Sequence, residues 1–190
     1  QDNAFNIGLL HTCATGREGH EPYAPCTVPE LVAKEYDYWA LGHVHTREIL
    51  HQEPWIVFPG NIQGRHIREP GRKGCTLVTV DGRRVESVEH RDLDVAHWHH
   101  CEIKTAAETT ADEVMERIGR HLQEKIEANG EGLLAARVTL SGNCQAHGDF
   151  MANPAQWTNQ IRAVGMEYGG EQVWIEKVQF QTGATHNLEQ

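Results

Sequence analysis

Tyr38-Trp39-Ala40-Leu41-Gly42-His43-Val44-His45 is a short apolar run broken by glycine and closed by two histidines one residue apart. An apolar run of this length, stopped by glycine, predicts a buried strand over Tyr38 to Leu41 with the histidines at its carboxyl end. The same punctuation recurs on both sides. Phe5 to Leu10 ends at His11-Thr12, and Trp55 to Phe58 ends at Pro59-Gly60-Asn61. A loop through Gly16, Gly19, Pro22 and Pro25 leads to Thr27, which with Glu30 forms a capping box, and Pro29 sits in the first turn. A helix with Val28, Leu31 and Val32 on its apolar side is expected there. Strand, helix and further strands with polar motifs at the strand ends predict an α/β layer structure whose site runs along one edge.

Further along, Cys75 to Val80 and Arg84 to Val88 flank Asp81-Gly82, a strong hairpin signal. The composition then changes near His97. A strand (Cys101 to Thr105), a helix, a strand (Leu134 to Leu140), a second helix and a strand (Val173 to Phe180) follow. Thr110 and Glu113 cap the first helix, Val114, Ile118, Leu122 and Ile126 recur along it, and Asn129-Gly130 ends it. Asn153-Pro154 with Gln156 opens the second, with Trp157, Ile161 and Val164 on its apolar side. Two domains are expected, 1–95 and 96–190, the second a small α+β unit of two helices on a sheet.

Composition narrows the class. A chain of 190 residues with ordinary charge content and aromatics is not a disordered one. No run approaches the ~20 apolar residues of a membrane span, and the scattered cysteines fit the reducing cytoplasm in which the chain is expected. The opening Gln-Asp-Asn carries no initiator Met, which leads us to expect a piece of a longer protein. Cys13, Cys26, Cys75, Cys101 and Cys144 are odd in number and scattered, against both a disulfide framework and a cysteine-rich zinc site. The net charge of −10 argues against a general nucleic-acid binder. Locally, residues 62–84 reverse that sign: Arg65, Arg68, Arg72, Lys73, Arg83 and Arg84 face only Glu69 and Asp81. A solvated basic loop is the plain alternative.

Neutral imidazole is a good ligand for divalent transition metals. Among 13 histidines a chance His-x-His is easily met, but His11 stands at the end of a neighbouring strand, and His43 and His45 share its placement. Three histidines converging on one edge suit manganese, iron or zinc. None is a carboxylate, and no Asp stands beside these motifs, whereas two ions need a bridging carboxylate and further oxygen ligands.

Leu9-Leu10-His11-Thr12, Gly42-His43-Val44-His45, Phe58-Pro59-Gly60-Asn61-Ile62-Gln63-Gly64-Arg65-His66 and Lys73-Gly74-Cys75, in that order, resemble the calcineurin-like metallophosphoesterases. The Pro-Gly-Asn…Arg…Lys-Gly stretch is most similar to the DNA-repair exonucleases of the SbcD and YhaO type. The resemblance implies the C-terminal part of a four-layer phosphoesterase β-sandwich followed by an α+β capping domain. By that resemblance two divalent ions, manganese above all, serve the reaction; His11 and His43 bind one and His45 the other. Arg65, Gln63 and His66 would meet phosphates of DNA. An SMC-like ATPase partner and homo-oligomer formation are also implied. The family's Asp-x-His, Gly-Asp-x-x-Asp and Gly-Asn-His-Asp/Glu motifs do not occur here, so no catalytic residue is assigned and the chain alone is expected to be inactive. Absence of the earlier half would leave an apolar sheet face uncovered.

Other clusters carry less. His97, His99 and His100 read as a domain junction sooner than a second metal site, and His20, His51, His90, His121, His147 and His186 as surface or packing residues. Tyr36, Tyr38 and Trp39 read as core, although aromatics can stack on bases. Cys13, near His11, lacks the base and oxyanion site a nucleophile needs. Two other functions compete: hydrolysis of a different phosphodiester, and a non-catalytic module that binds DNA or a partner ATPase.

Overall fold

A computed structural model describes residues 4–14, 24–107, 109–130 and 132–185. Gly16, Gly19, Pro22, His20 and His186 therefore lie outside the described residues. The chain divides into two compact units, residues 1–63 with 72–94, and 64–71 with 95–190. Its mixed α/β character follows, among the described residues, from three sheets and the helices set between their strands.

The first unit contains β1 (Ile7–His11), α1 (Val28–Val32), β2 (Tyr38–Gly42), β3 (Glu48–Gln52) and β4 (Trp55–Phe58). Strands β1, β2 and β4 run parallel, and β3 closes the far edge antiparallel to β4. Ile56, Val57 and Phe58 are fully buried, and Trp39, Leu41, Val44 and Leu31 join the core. Each such large apolar side chain contributes roughly 1.5–3 kcal/mol by leaving water. The helix is held by its capping box, Thr27 and Glu30 each accepting from the other's backbone, and by the Trp39 indole N–H, which donates to the Leu31 carbonyl at 3.2 Å. On β1, Ile7 is 55% and Leu9 81% exposed, so this strand turns apolar side chains toward solvent. Strands β5 (Gly74–Asp81) and β6 (Arg84–Asp92) form the expected hairpin, with Gly82 at φ +57° in its turn.

The second unit is a three-stranded parallel sheet, β7 (Ala96–Lys104), β8 (Leu133–Asn143) and β9 (Val173–Gly183), in the order β7-β8-β9. Helix α2 (Ala111–Asn129) connects the first pair; α3 (His147–Ala152) and α4 (Pro154–Gly169) connect the second. Val114, Ile118 and Leu122 of α2 and Ile161 of α4 are fully buried against Ala136, Val138 and Leu140 of β8. The Thr110–Glu113 capping box is formed at the start of α2. Segment 64–71 joins this unit through β7: the Gly71 N–H donates to the Trp98 carbonyl at 3.0 Å, and the Trp98 indole N–H donates to the Gly64 carbonyl at 3.1 Å.

The structure corrects several expectations. Strand β3 and helix α3 are additional elements. His97-Trp98-His99-His100, expected at a domain junction, lies just after the boundary between the units but inside β7, where alternation sends His97 and His99 to one face, with His97 only 3% exposed. Tyr38 and Trp39 are buried, but Tyr36, just before the strand, is 39% exposed and tilts against Trp39.

His99 on β7 meets His121 on α2, Nε2 to Nε2 at 2.9 Å with stacked rings. Burial, reinforced by His121, pulls the His99 imidazole down to about 4; burial also lowers His121. An imidazole with a folded value below its unfolded ~6.5 binds fewer protons in the folded state. Its stability contribution is complete above about pH 6.5 and is lost as pH falls toward about 4. The urea midpoint of the chain is thus expected to fall between pH 6.5 and 4.5, and His99→Phe should flatten that profile. Identical profiles for the two proteins would remove the pair as the titrating element.

Candidate metal centre

The site grows from the β1–β2 ladder, whose parallel pairing places His11 directly opposite Gly42. A Cβ at Gly42 would stand 3.0 Å from His11 Nδ1, so glycine leaves room for the imidazole above β2. The next residue, His43, takes φ +103°, a conformation that costs a non-glycine residue about 1–3 kcal/mol and persists where surroundings enforce it. This turn brings the two rings together. His43 Nδ1 lies 3.3 Å from His11 Nε2, with the rings nearly perpendicular at 79°. Val44 is buried in the core at 6% exposure, which anchors the tetrapeptide between its two histidines. His45 follows, half-buried.

The loop after β4 supports this turn. The Asn61 N–H donates to the His45 carbonyl at 3.1 Å, and the Asn61 carbonyl in turn accepts from Gly74 N–H at the start of β5. Gly60 is at φ +79°, and a Cβ there would lie 2.8 Å from the Arg47 nitrogen and 3.0 Å from the His45 oxygen. Pro59-Gly60-Asn61 is thus a backbone buttress for His43-Val44-His45. Beside it, Leu9, Leu10, His11, Ala40, Leu41, Gly42 and Pro59 line a depression of about 390 Å³.

Two imidazole nitrogens bound at ~2.0–2.1 Å to one tetrahedral ion lie ~3.3 Å apart. The His11–His43 separation fits that spacing. Among the described residues, however, no three His, Cys, Asp or Glu side chains gather to hold an ion. The pair fits one edge of a metal centre and does not complete it.

Gln63 belongs to the first unit, Arg65 and His66 to the second. Glu69, only 8% exposed, organises the latter two. Its carboxylate accepts from Arg65 Nη2 at 2.9 Å and from the Arg65 backbone N–H at 3.0 Å, and stands 3.8 Å from His66 Nε2. The Glu69 hydrogen bond holds the Arg65 guanidinium more firmly protonated than usual. Sequence reasoning counted Glu69 only as a charge; the signal for its role was its i,i+4 distance from Arg65.

Residues 98–183 match the family described as the middle domain of metallophosphoesterase YhaO. The uncharacterized metallophosphoesterase YhaO of Bacillus subtilis (strain 168) is 47% identical over 95 residues, covering 50% of this chain and 23% of that protein. The match thus spans about a quarter of the relative's length.

Gly60→Ala is expected to push the 43–47 loop away from β4. Since alanine at φ > 0 is strained and close to two backbone atoms, stability should fall by about 1 kcal/mol or more. Affinity for Mn²⁺ or Zn²⁺, read by titration calorimetry, should fall with it. Unchanged affinity in the folded variant would detach the Pro-Gly-Asn turn from the histidines.

Proposed function

We propose, from the similarity to the YhaO-type calcineurin-like metallophosphoesterases, that the chain holds the later part of a two-metal centre in a manganese-dependent DNA exonuclease. The observation that carries this reading is the His11–His43 pair at the carboxyl ends of adjacent parallel strands. In this reading His11 and His43 serve one ion and His45 the other. Bound divalent ions would supply charge neutralisation and an acidified water to phosphodiester hydrolysis. The chain's own part is to hold neutral imidazoles in place on a rigid strand end, braced by Gly60 and Asn61. The bridging carboxylate that two ions require is assigned to a longer parent protein.

DNA is the favoured substrate because the 62–84 stretch is basic in a chain of net charge −10. Arg65, with Gln63 and His66, is proposed to meet phosphates flanking the scissile bond; a planar guanidinium suits such an oxygen pair. An SMC-like ATPase partner, self-association and a cytoplasmic location complete the proposal. Among the described residues no helix is long and apolar enough to cross a membrane. A non-catalytic module that binds DNA or a partner ATPase is the second reading, and the incomplete ligand set favours it, because among the described residues no three His, Cys, Asp or Glu side chains gather to hold an ion.

Manganese-dependent cleavage of DNA by the full-length parent tests the reading directly. The 190-residue chain by itself should bind at most one Mn²⁺ per chain and leave DNA intact; two tight ions with clear cleavage would overturn the half-site account. In the parent, Arg65→Ala should weaken DNA binding and lower the salt slope by about 0.7–0.9, one released counterion. An unchanged slope would assign Arg65 to its ion pair with Glu69.

A further inference from the structure

The β7-β8-β9 sheet buries one face under α2 and α4, through alternate residues such as Cys101, Val138 and Ile175. Its other face is read from the register. Trp98 stands opposite Ala135, and Ala135 opposite Trp174, so one cross-strand row carries two indoles with a small residue between them. The two rings meet edge to face, centroids 5.9 Å apart, and Ala135 is 1% exposed. Trp98 is braced further by the Gly64 carbonyl, whereas Trp174 is 50% exposed. A large ring is therefore held in a fixed orientation with half its surface in water.

The next row on this face is His100, Arg137 and Lys177. Glu176 takes the Arg137 guanidinium through two hydrogen bonds of 2.8 and 2.9 Å, and the exposed Lys177 adds positive charge. Segment 64–71, which carries Arg65 and Arg68, passes His100 with the Ile67 carbonyl 3.2 Å from its Nε2. The row after that, Glu102, Thr139 and Gln179, is again polar. An exposed tryptophan can equally mark a protein-docking patch, as the neighbouring exposed Met166 would suit. On this face, however, the rows beyond the indoles are charged and polar, with Lys177 exposed and Arg137 held by Glu176, then Glu102, Thr139 and Gln179, which a protein's apolar anchor would leave poorly matched. Flat rings beside cations are the pairing that stacks a base and meets its phosphate.

We propose that this face of the second unit binds single-stranded nucleic acid, a base stacking on Trp174 and the backbone running past Lys177 toward the arginines of segment 64–71. It deepens the proposed function, and rests on it in taking the bound strand to be one the parent enzyme processes.

The test is fluorescence anisotropy of the whole chain with a fluorescein-labelled oligothymidylate of about twelve nucleotides, within the span such platforms cover. EDTA is present throughout, so that no cleavage intervenes. Single strand should bind more tightly than a duplex of equal length. Trp174→Ala should weaken binding about tenfold and Trp174→Phe should restore most of it, since any aromatic ring stacks. Lys177→Gln should lower the log–log salt slope by about 0.7, as for one single-strand phosphate contact. Far-UV circular dichroism confirms that each variant is folded. No binding of the oligonucleotide, or equal affinity for Trp174→Ala and the unaltered chain, overturns the inference. So does a Trp174→Ala variant that loses self-association by sedimentation yet keeps its affinity, which would make the patch a protein interface. Because EDTA silences any metal chemistry, failure here leaves the hydrolytic proposal standing, and an inactive parent would leave this surface standing.

Discussion

The parallel pairing of β1 with β2, which sets His11 against Gly42, is the constraint on which the candidate centre depends. Parallel strands present their carboxyl ends on one edge, so side chains distant in sequence arrive there together. His11 and His43 are separated by 31 intervening residues, yet their nitrogens stand 3.3 Å apart. Everything local serves that meeting. Gly42 clears space for one ring, the positive φ of His43 aims the other, and buried Val44 prevents the turn from sliding. The loop after β4 then closes over it, which only a glycine at position 60 permits.

Hydrophobic burial supplies the rigidity that this geometry needs. Ile56, Val57 and Phe58 are fully buried on β4, next to the strand that carries the histidines. A site built on a packed strand end keeps its ligands in place better than one built on loops alone. The strain at His43, of order 1–3 kcal/mol, is small against burial of several such side chains. β1 is different: Ile7 and Leu9 face water, so apolar side chains stand uncovered on the strand that carries His11.

Charge explains why histidines alone would not hold two ions. Neutral imidazoles can hold a cation, but they bring no negative charge to offset two of them at short range. Carboxylates are plentiful in a chain of net charge −10, but among the described residues none joins His11 and His43 in a group of three. Glu69 is buried against Arg65, and Asp37 is paired with Arg83 at 2.9 Å. Both carboxylates thus organise arginines of the basic stretch.

Local chemistry made much of this legible in the sequence. The Thr27–Glu30 and Thr110–Glu113 capping boxes, the Asp81-Gly82 hairpin turn and the apolar runs ending at His11, Gly42 and Phe58 depend on neighbours within four residues, and all appear in the structure. The fold class followed from their order. Contacts between distant residues could not be read in that way. His99 against His121, the Trp98–Ala135–Trp174 row and the attachment of segment 64–71 to β7 depend on strand register and on which face a helix covers. A shift of one residue in register would send each of those side chains to the opposite face. The sequence alone determined which residues could bind a metal; tertiary structure decided that two of them touch, because only the parallel ladder brings their strand ends side by side.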